Sequence, residues 1–172
     1  MDILKKNYFE LFGLPVSTQL DLKHLDEKFT ILQKQFHPDK FSSSSDTEKR
    51  IALQISSYLN DGYITLREYI TRVEYILKIR EFNTDESKTL FDKEFLEEQI
   101  ELSESIELLR IDKKYNDKVS ILTNDLSAKM EALVESINNY LLQTEYEMVW
   151  KSLAKYKFYH NHLIELEPMI RQ

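Results

Sequence analysis

An all-α fold is what this sequence predicts, and three observations carry the expectation. The 172 residues hold only two Gly and three Pro, so helix breakers are few. No Asn-Gly pair marks a tight β-hairpin. Apolar residues recur three and four positions apart through most of the chain, which is the period of a helix with one buried face. The expected architecture is an N-terminal helical hairpin with short accessory helices, followed by an antiparallel three-helix bundle.

The elements follow in order. Tyr8 to Phe12 reads as a short helix with Tyr8, Leu11 and Phe12 on its apolar side, closed by Gly13 and unable to continue past Pro15. After a polar loop rich in caps, residues 22–36 carry Leu25, Phe29, Leu32 and Phe36 at steps of four, three and four, a core stripe. The opposite side is expected to present Lys23, Lys28 and Lys34 among Asp26 and Glu27. Phe41 to Asp46 is expected to be a flexible polar loop that ends the corner, and Asp46 or Thr47 to cap a helix reaching about Leu66. Its inward positions are Ile51, Ile55, Tyr58 and Leu59, extended to Ile64 and Leu66, with Gly62 tolerated at about 1 kcal/mol. A further helix spans Arg67 to Arg80, with Tyr69, Val73, Ile76 and Leu77 inward.

Asn83 to Ser87 is polar and offers several cap residues, so the division is expected there: one domain over 1–82, another over 83–172. Three long helical patterns then cover about 92–110, 113–142 and 145–167, with Pro168 expected to end the last. Short connections force such helices to pack antiparallel.

Charge separates the halves. Residues 1–80 hold 12 Lys/Arg against 11 Asp/Glu, whereas residues 81–172 hold 11 against 19. An acidic C-terminal half argues against nucleic acid, and two differently charged halves suggest two partners. The absence of cysteine removes disulfides and thiolate ligands and fits a reducing compartment. No apolar run reaches the length of a membrane span and no signal-peptide core opens the chain, so a cytoplasmic location is expected.

Two stretches stand out for function. The first is Gln35-Phe36-His37-Pro38-Asp39-Lys40-Phe41. Pro38 fixes its own φ and biases His37 away from the helical region, so the preceding helix stops and Asp39 sits on a rigid corner. With no Gly-rich phosphate loop, no second His or Ser within obvious reach and no Cys, the stretch does not resemble a catalytic site. A fixed charge on a rigid corner suits docking. The alternative is an ordinary interhelical turn with solvated lysines beside it.

The second stretch is Phe95-Leu96-Glu97-Glu98-Gln99-Ile100-Glu101-Leu102. At about 100° per residue, Phe91, Phe95, Leu102, Ile106 and Leu109 share one narrow arc, the core side. Leu96 and Ile100 lie about 100° and about 140° from Phe95, in a sector shared with Glu97, Glu104 and Glu107. Apolar residues framed by carboxylates outside the core arc read as an exposed binding patch, the alternative being contact with a neighbouring helix. His160 and His162, two apart on a helix, point in different directions and are expected to be solvated.

Asn7-Tyr8-Phe9-Glu10-Leu11-Phe12-Gly13-Leu14-Pro15, the helix ending in Phe36 and the His37-Pro38-Asp39-Lys40-Phe41 corner together resemble a J-domain. Over essentially its full length the chain resembles the HscB-type co-chaperones of bacterial iron–sulfur cluster assembly. The resemblance implies an N-terminal J-domain whose corner, His37, Pro38 and Asp39, with Lys23, Lys28 and Lys34, binds an HscA-like DnaK-type chaperone and stimulates its ATPase. It implies that the C-terminal bundle binds an IscU-like iron–sulfur scaffold protein through Leu96, Ile100, Glu101, Glu104 and Phe158. Glu97 departs from the family, where an apolar residue often follows the leucine. No cofactor and no enzymatic activity are expected of the chain itself. Two rivals are set against this: a J-protein serving other clients, and a helical enzyme or metal carrier using His37, Asp39, His160 or His162.

Overall fold

The Asn7 side chain accepts from the Glu10 backbone N–H at 2.9 Å while the Glu10 carboxylate accepts from the Asn7 N–H at 3.0 Å, and this capping box starts helix α1, Tyr8–Phe12. Gly13 ends it at φ 66°, a conformation that costs a residue without Cβ little. The computed structural model describes residues 3–84, 91–111 and 116–170. Within them the helices are α1, α2 (Leu22–Phe36), α3 (Asp46–Arg67), α4 (Tyr69–Ile79), α5 (Lys93–Ile111), α6 (Asn116–Leu142) and α7 (Tyr146–Ile170), with short 3-10 turns at Ile3–Lys5 and Pro38–Phe41. Among the described residues there is no strand. The chain forms two compact units that part between Asn83 and Thr84.

In the first unit α2 and α3 form the hairpin and α1 lies against both. Phe9, Phe12, Leu25 and Leu59 are fully buried. Tyrosines fasten α1: Tyr58 Oη donates to the Lys6 carbonyl at 2.6 Å, and Tyr75 Oη accepts from the Tyr8 N–H at 3.0 Å while the two rings stack at 4.5 Å. The cap of α3 is Ser45, one residue before the expected candidates. Its hydroxyl accepts from the Glu48 N–H and the Glu48 carboxylate accepts from the Ser45 N–H at 2.9 Å, a reciprocal pair that Asp46 and Thr47 do not make. Ile64, expected inward, is exposed, because five residues from buried Leu59 it stands about 140° away on the helix while Leu66 returns to the buried side. The expected helix from Arg67 begins instead at Tyr69, since Glu68 at ψ 133° breaks the chain direction.

In the second unit Asp92 Oδ1 accepts from the Phe95 N–H at 2.8 Å and caps α5. Lys155 meets Asp92, Phe158 meets Phe95 and His162 meets Gln99, so numbers rise together along α5 and α7, and these two helices are parallel. The tight turn at Gln143 and Thr144 reverses α6 against α7, as expected from short connections. Phe95, Leu102, Ile106, Val119, Leu126, Tyr159 and Leu166 form the buried core of this unit. The expected start of α6 at Lys113 and the Asp85 to Ser87 part of the expected boundary lie outside the described residues. Pro168 does not end α7, which continues to Ile170. The lost N–H falls in the last turn, and Leu166, fully buried, with Met169 packed on the core, holds that turn in place.

Gly62 has a packing reason beyond its tolerated cost. A Cβ there would come within 2.8 Å of Tyr8 Cδ1 and 3.2 Å of Phe12 Cε2. Tyr8 is held between Tyr58 and Tyr75, and Phe12 is fully buried, so neither ring has room to give. Gly62→Ala gains about 1 kcal/mol of helix propensity and incurs about 1–3 kcal/mol of overpacking. The expected result is a lower melting temperature by circular dichroism; a rise would show that α1 accommodates the methyl.

Candidate functional site

The first candidate surface is the corner between α2 and α3. Helix α2 stops at Phe36 and His37 takes extended angles, φ −61° and ψ 130°, as the following proline requires. Pro38 then opens the 3-10 turn Pro38–Phe41, capped by the His37 ring: Nδ1 accepts from the Asp39 N–H at 3.3 Å. The same Nδ1 lies 3.5 Å from Asp39 Oδ2. His37 is therefore a local brace, and the carboxylate it braces keeps 90% of its side chain in solvent. What the corner offers is a carboxylate whose backbone cannot turn away.

Lys23 and Lys34 stand on the outward side of α2 and are exposed, whereas Lys28 is half-buried beside the core stripe. Three residues from Leu25 and one from Phe29, it falls about 60° from Leu25 and not on the opposite side as expected. Asp26, also assigned to the open face, turns to α3: Oδ1 accepts from Arg67 at 2.6 Å and from Tyr63 Oη at 2.9 Å, next to the Phe29–Tyr63 ring stack at 4.1 Å. This clamp fixes the angle of the hairpin that holds the corner. Sequence reasoning missed it.

The second candidate surface lies on α5. Leu96 and Ile100 are 46% and 60% exposed, while Phe95, Leu102 and Ile106 of the inner arc are buried. Glu98 reaches Lys129 of α6, and Asp92, Gln99 and Arg110 reach Lys155, His162 and Glu165 of α7. Those contacts place α7 on the side of the helix toward which Leu96 and Ile100 diverge, so the pair borders the α5–α7 seam. Phe158 stands at that seam, 39% exposed, with its ring edge-on to Phe91 at 5.3 Å and to Phe95 at 5.7 Å. The structure thus brings Leu96, Ile100 and Phe158 to one flank of the bundle. Glu97 is tied to Lys93 at 2.9 Å and Glu107 to Arg110 at 3.2 Å. Glu101 and Glu104 are exposed.

Beneath this flank runs a polar seam that the sequence did not announce. Glu98 accepts from Lys129 and from Tyr159 Oη, both at 2.6 Å. Burial pushes the Glu98 carboxyl up, but the hydrogen bonds from Lys129 and Tyr159 outweigh it and hold the group below the ordinary carboxylate range. Burial and the Glu98 charge push the Tyr159 phenol well above its ordinary value. His162, expected in solvent, is buried with Nε2 3.1 Å from Gln99 Oε1. It occupies the inward side of α7, one turn after Tyr159, and His160 alone of the two is partly exposed. Among the described residues no group of three or more His, Asp or Glu side chains is placed to hold a metal ion.

Comparison with known proteins settles the family. The family described as the HSCB C-terminal oligomerisation domain matches residues 91–167. A co-chaperone protein HscB homolog of Vibrio cholerae is 34% identical over 153 residues, covering 88% of this chain and 90% of that protein. Another from Shewanella woodyi is 35% identical, covering 94% and 95%. This chain belongs to the HscB co-chaperone family. Two solved structures agree: the chaperone HscB from Vibrio cholerae superposes with a TM-score of 0.86 at 31% identity, covering 95% of this chain and 96% of that one. Human co-chaperone protein HscB does so with 0.83 at 25% identity, covering 95% and 81%. The fold is therefore an N-terminal J-domain followed by a C-terminal helical bundle, and the role is that of a co-chaperone in iron–sulfur cluster assembly. No helix among the described residues is long and apolar enough to cross a membrane.

The lowered Glu98 carboxyl has a consequence for stability. A folded-state value below the unfolded one contributes stability above the ordinary Glu range, near 4.3, and that stability is lost as pH falls through the folded value. Thermal melts between pH 7 and pH 3 are expected to show the bundle weakening on the acid side. Glu98→Gln should lower the melting temperature at pH 7 and flatten the acid fall; an unchanged pH profile would mean that Glu98 carries none of it.

Proposed function

We propose that this co-chaperone brings an IscU-like iron–sulfur scaffold protein to an HscA-like DnaK-type chaperone in the cytoplasm and raises that chaperone's rate of ATP hydrolysis. The J-domain of residues 1–82 engages the chaperone and the bundle of residues 83–172 engages the scaffold. The observation that carries the reading is the Asp39 carboxylate, held on the Pro38 corner and open to solvent. There it is placed to pair with an arginine of the chaperone, while Lys23 and Lys34 approach an acidic patch and Lys28 flanks them. Rim charges of this kind set the encounter rate more than the affinity.

At the other surface, Leu96, Ile100 and Phe158 supply the apolar contact, and Glu101 and Glu104 the acidic rim. The Lys93 ion pair makes Glu97 part of that rim and narrows the apolar area at its N-terminal end. The chain contributes no cysteine to an iron–sulfur cluster, so the cluster is cargo that stays with the scaffold.

Asp39→Asn is expected to abolish stimulation of the chaperone's ATPase in a steady-state phosphate-release assay, with the melting temperature and scaffold binding unchanged. Surviving stimulation would sink the docking role of the corner. Conversely, Leu96→Ala with Ile100→Ala should leave the melting temperature nearly unmoved, because exposed truncations stay within about 0.5 kcal/mol. By calorimetric titration it should weaken scaffold binding by more than about tenfold, while stimulation measured without scaffold persists. A sharply lowered melting temperature with normal scaffold binding would make the two residues structural and the proposed surface wrong.

A further inference from the structure

Asp92 does two separable jobs where α5 meets α7. Oδ1 accepts from the Phe95 N–H at 2.8 Å and caps α5, while Oδ2 accepts from Lys155 of α7 at 2.8 Å. Hydrogen bonds from Lys155 and then from the Phe95 N–H hold the Asp92 carboxyl below the ordinary carboxylate range, so it is charged at neutral pH. The Lys155 ammonium also lies over the buried Phe95 ring, 4.8 Å from its centroid. One cation therefore ties the start of α5 to α7 at two points.

Phe158 follows Lys155 by three positions, about 4.5 Å along the axis and about 60° around it, so the two are neighbours on one side of α7. Its ring meets Phe91 at 5.3 Å and Phe95 at 5.7 Å, both edge-on, and stays 39% exposed. Edge contacts of this kind favour the observed placement only modestly, and a helix admits a second χ1 well that points the ring elsewhere. The choice between them depends on where α7 stands against Phe91 and Phe95. The Asp92–Lys155 pair sets that position within one turn of Phe158. Because Leu96 and Ile100 stand on α5, the same pair sets Phe158 relative to them.

On the reading of this flank as the scaffold-binding surface, we propose that Asp92 and Lys155 are its positioning residues. Their ion pair holds Phe158 beside Leu96 and Ile100 before the scaffold arrives, and neither charge touches the scaffold. A ring already in place has less freedom to lose on binding, and that saving is the contribution of the pair. Its size is bounded by exposure. The Lys155 and Asp92 side chains are 30% and 58% exposed, so solvent screens the pair. Loss of the pair is expected to weaken scaffold binding about three- to fivefold, less than the loss of an apolar anchor.

Calorimetric titration of the full chain with a cluster-free IscU-like scaffold protein tests the proposal. Asp92→Asn keeps an acceptor for the α5 cap and removes the charge, and Lys155→Met keeps an apolar stem over Phe95 and removes the ammonium. Each is expected to weaken binding about three- to fivefold, and the two together no more than either alone. Lys155→Arg, which can still pair with Asp92 and lie over Phe95, should bind like the unaltered chain. In a Phe158→Ala background, adding Asp92→Asn should change the affinity by less than about 1.5-fold, because the pair acts through that ring. Phe158→Leu serves as the background if the alanine variant binds too weakly to titrate, and Lys155→Met carries the same comparisons if Asp92→Asn melts early by circular dichroism. Normal binding by Asp92→Asn and Lys155→Met, with Phe158→Ala still defective, would overturn the proposal and leave the surface standing. An undiminished effect of Asp92→Asn in the Phe158→Ala background would overturn it too, since the pair would then touch the scaffold itself. Normal binding by Phe158→Ala and by Leu96→Ala with Ile100→Ala would remove the surface, and the positioning role with it.

Discussion

A helix can bury only the arc that its neighbours cover, and in this protein that limit decides what is left for partners. α5 has α6 on the flank of Glu98 and α7 on the flank of Asp92, Gln99 and Arg110. The narrow inner arc of Phe95, Leu102 and Ile106 is filled by the two. Among the described residues no other helix of the bundle pairs with the outer side of α5, where Leu96 and Ile100 stay exposed. Apolar residues placed there cannot be stabilised by folding, so Leu96 and Ile100 stand in solvent at a hydration cost that only a partner removes. The hairpin obeys the same limit. Leu25 is fully buried, while Lys23 and Lys34 on the other side of α2 are exposed.

Apolar arcs alone would hold three helices together without fixing how far each slides along the next. The polar seam supplies the register. Glu98 with Lys129 and Tyr159, and Asp92 with Lys155, pair only at one vertical alignment. Half-buried charges that lose a partner are expensive, so a slip of one turn is strongly disfavoured. Gln99 and His162 add a demand of the same kind with less satisfaction: Gln99 Nε2 and His162 Nδ1 are buried without a hydrogen-bond partner. The α2–α3 hairpin has its own lock in Asp26, Tyr63 and Arg67. In both units the exposed side chains proposed to dock sit on helices whose relative positions are held by ion pairs, which is what a docking surface needs to keep its shape.

Much of this was legible in the sequence because helical periodicity reports directly on burial. The spacing of Leu25, Phe29, Leu32 and Phe36 located α2, and the arc through Phe95, Leu102 and Ile106 separated Leu96 and Ile100 from the core. Periodicity also carried more than residue type suggested. Gln99 lies within about 40° of Phe95, inside the core arc, yet an amide there reads as surface. Lys28 lies close to the stripe for the same reason. Ser45 was overlooked although Ser followed by Glu three residues on is the capping-box pattern. Asp26 and Arg67 are 41 residues apart, and His162 is buried by a helix more than 60 residues upstream; no local pattern announces such pairs. Pro168 misled because propensity is local while the last turn of α7 is held by Leu166 and Met169.

The two proposed docking surfaces differ in physics. At the corner the interaction is a charge fixed by covalent geometry: Pro38 sets the backbone and the His37 ring caps the turn, so Asp39 loses little conformational freedom on binding. Such a contact gains little from apolar burial and responds to salt. At α5 the contact removes Leu96, Ile100 and Phe158 from water, a stabilisation proportional to area and nearly indifferent to salt, with carboxylates at the rim to select orientation. Asp39, Leu96 and Ile100 add little to the core of their own units and are free to change without unfolding the chain, whereas Phe158 also packs edge-on against Phe91 and Phe95. That freedom is what the covered-arc limit leaves to function: the residues that the fold cannot use are the ones available to partners.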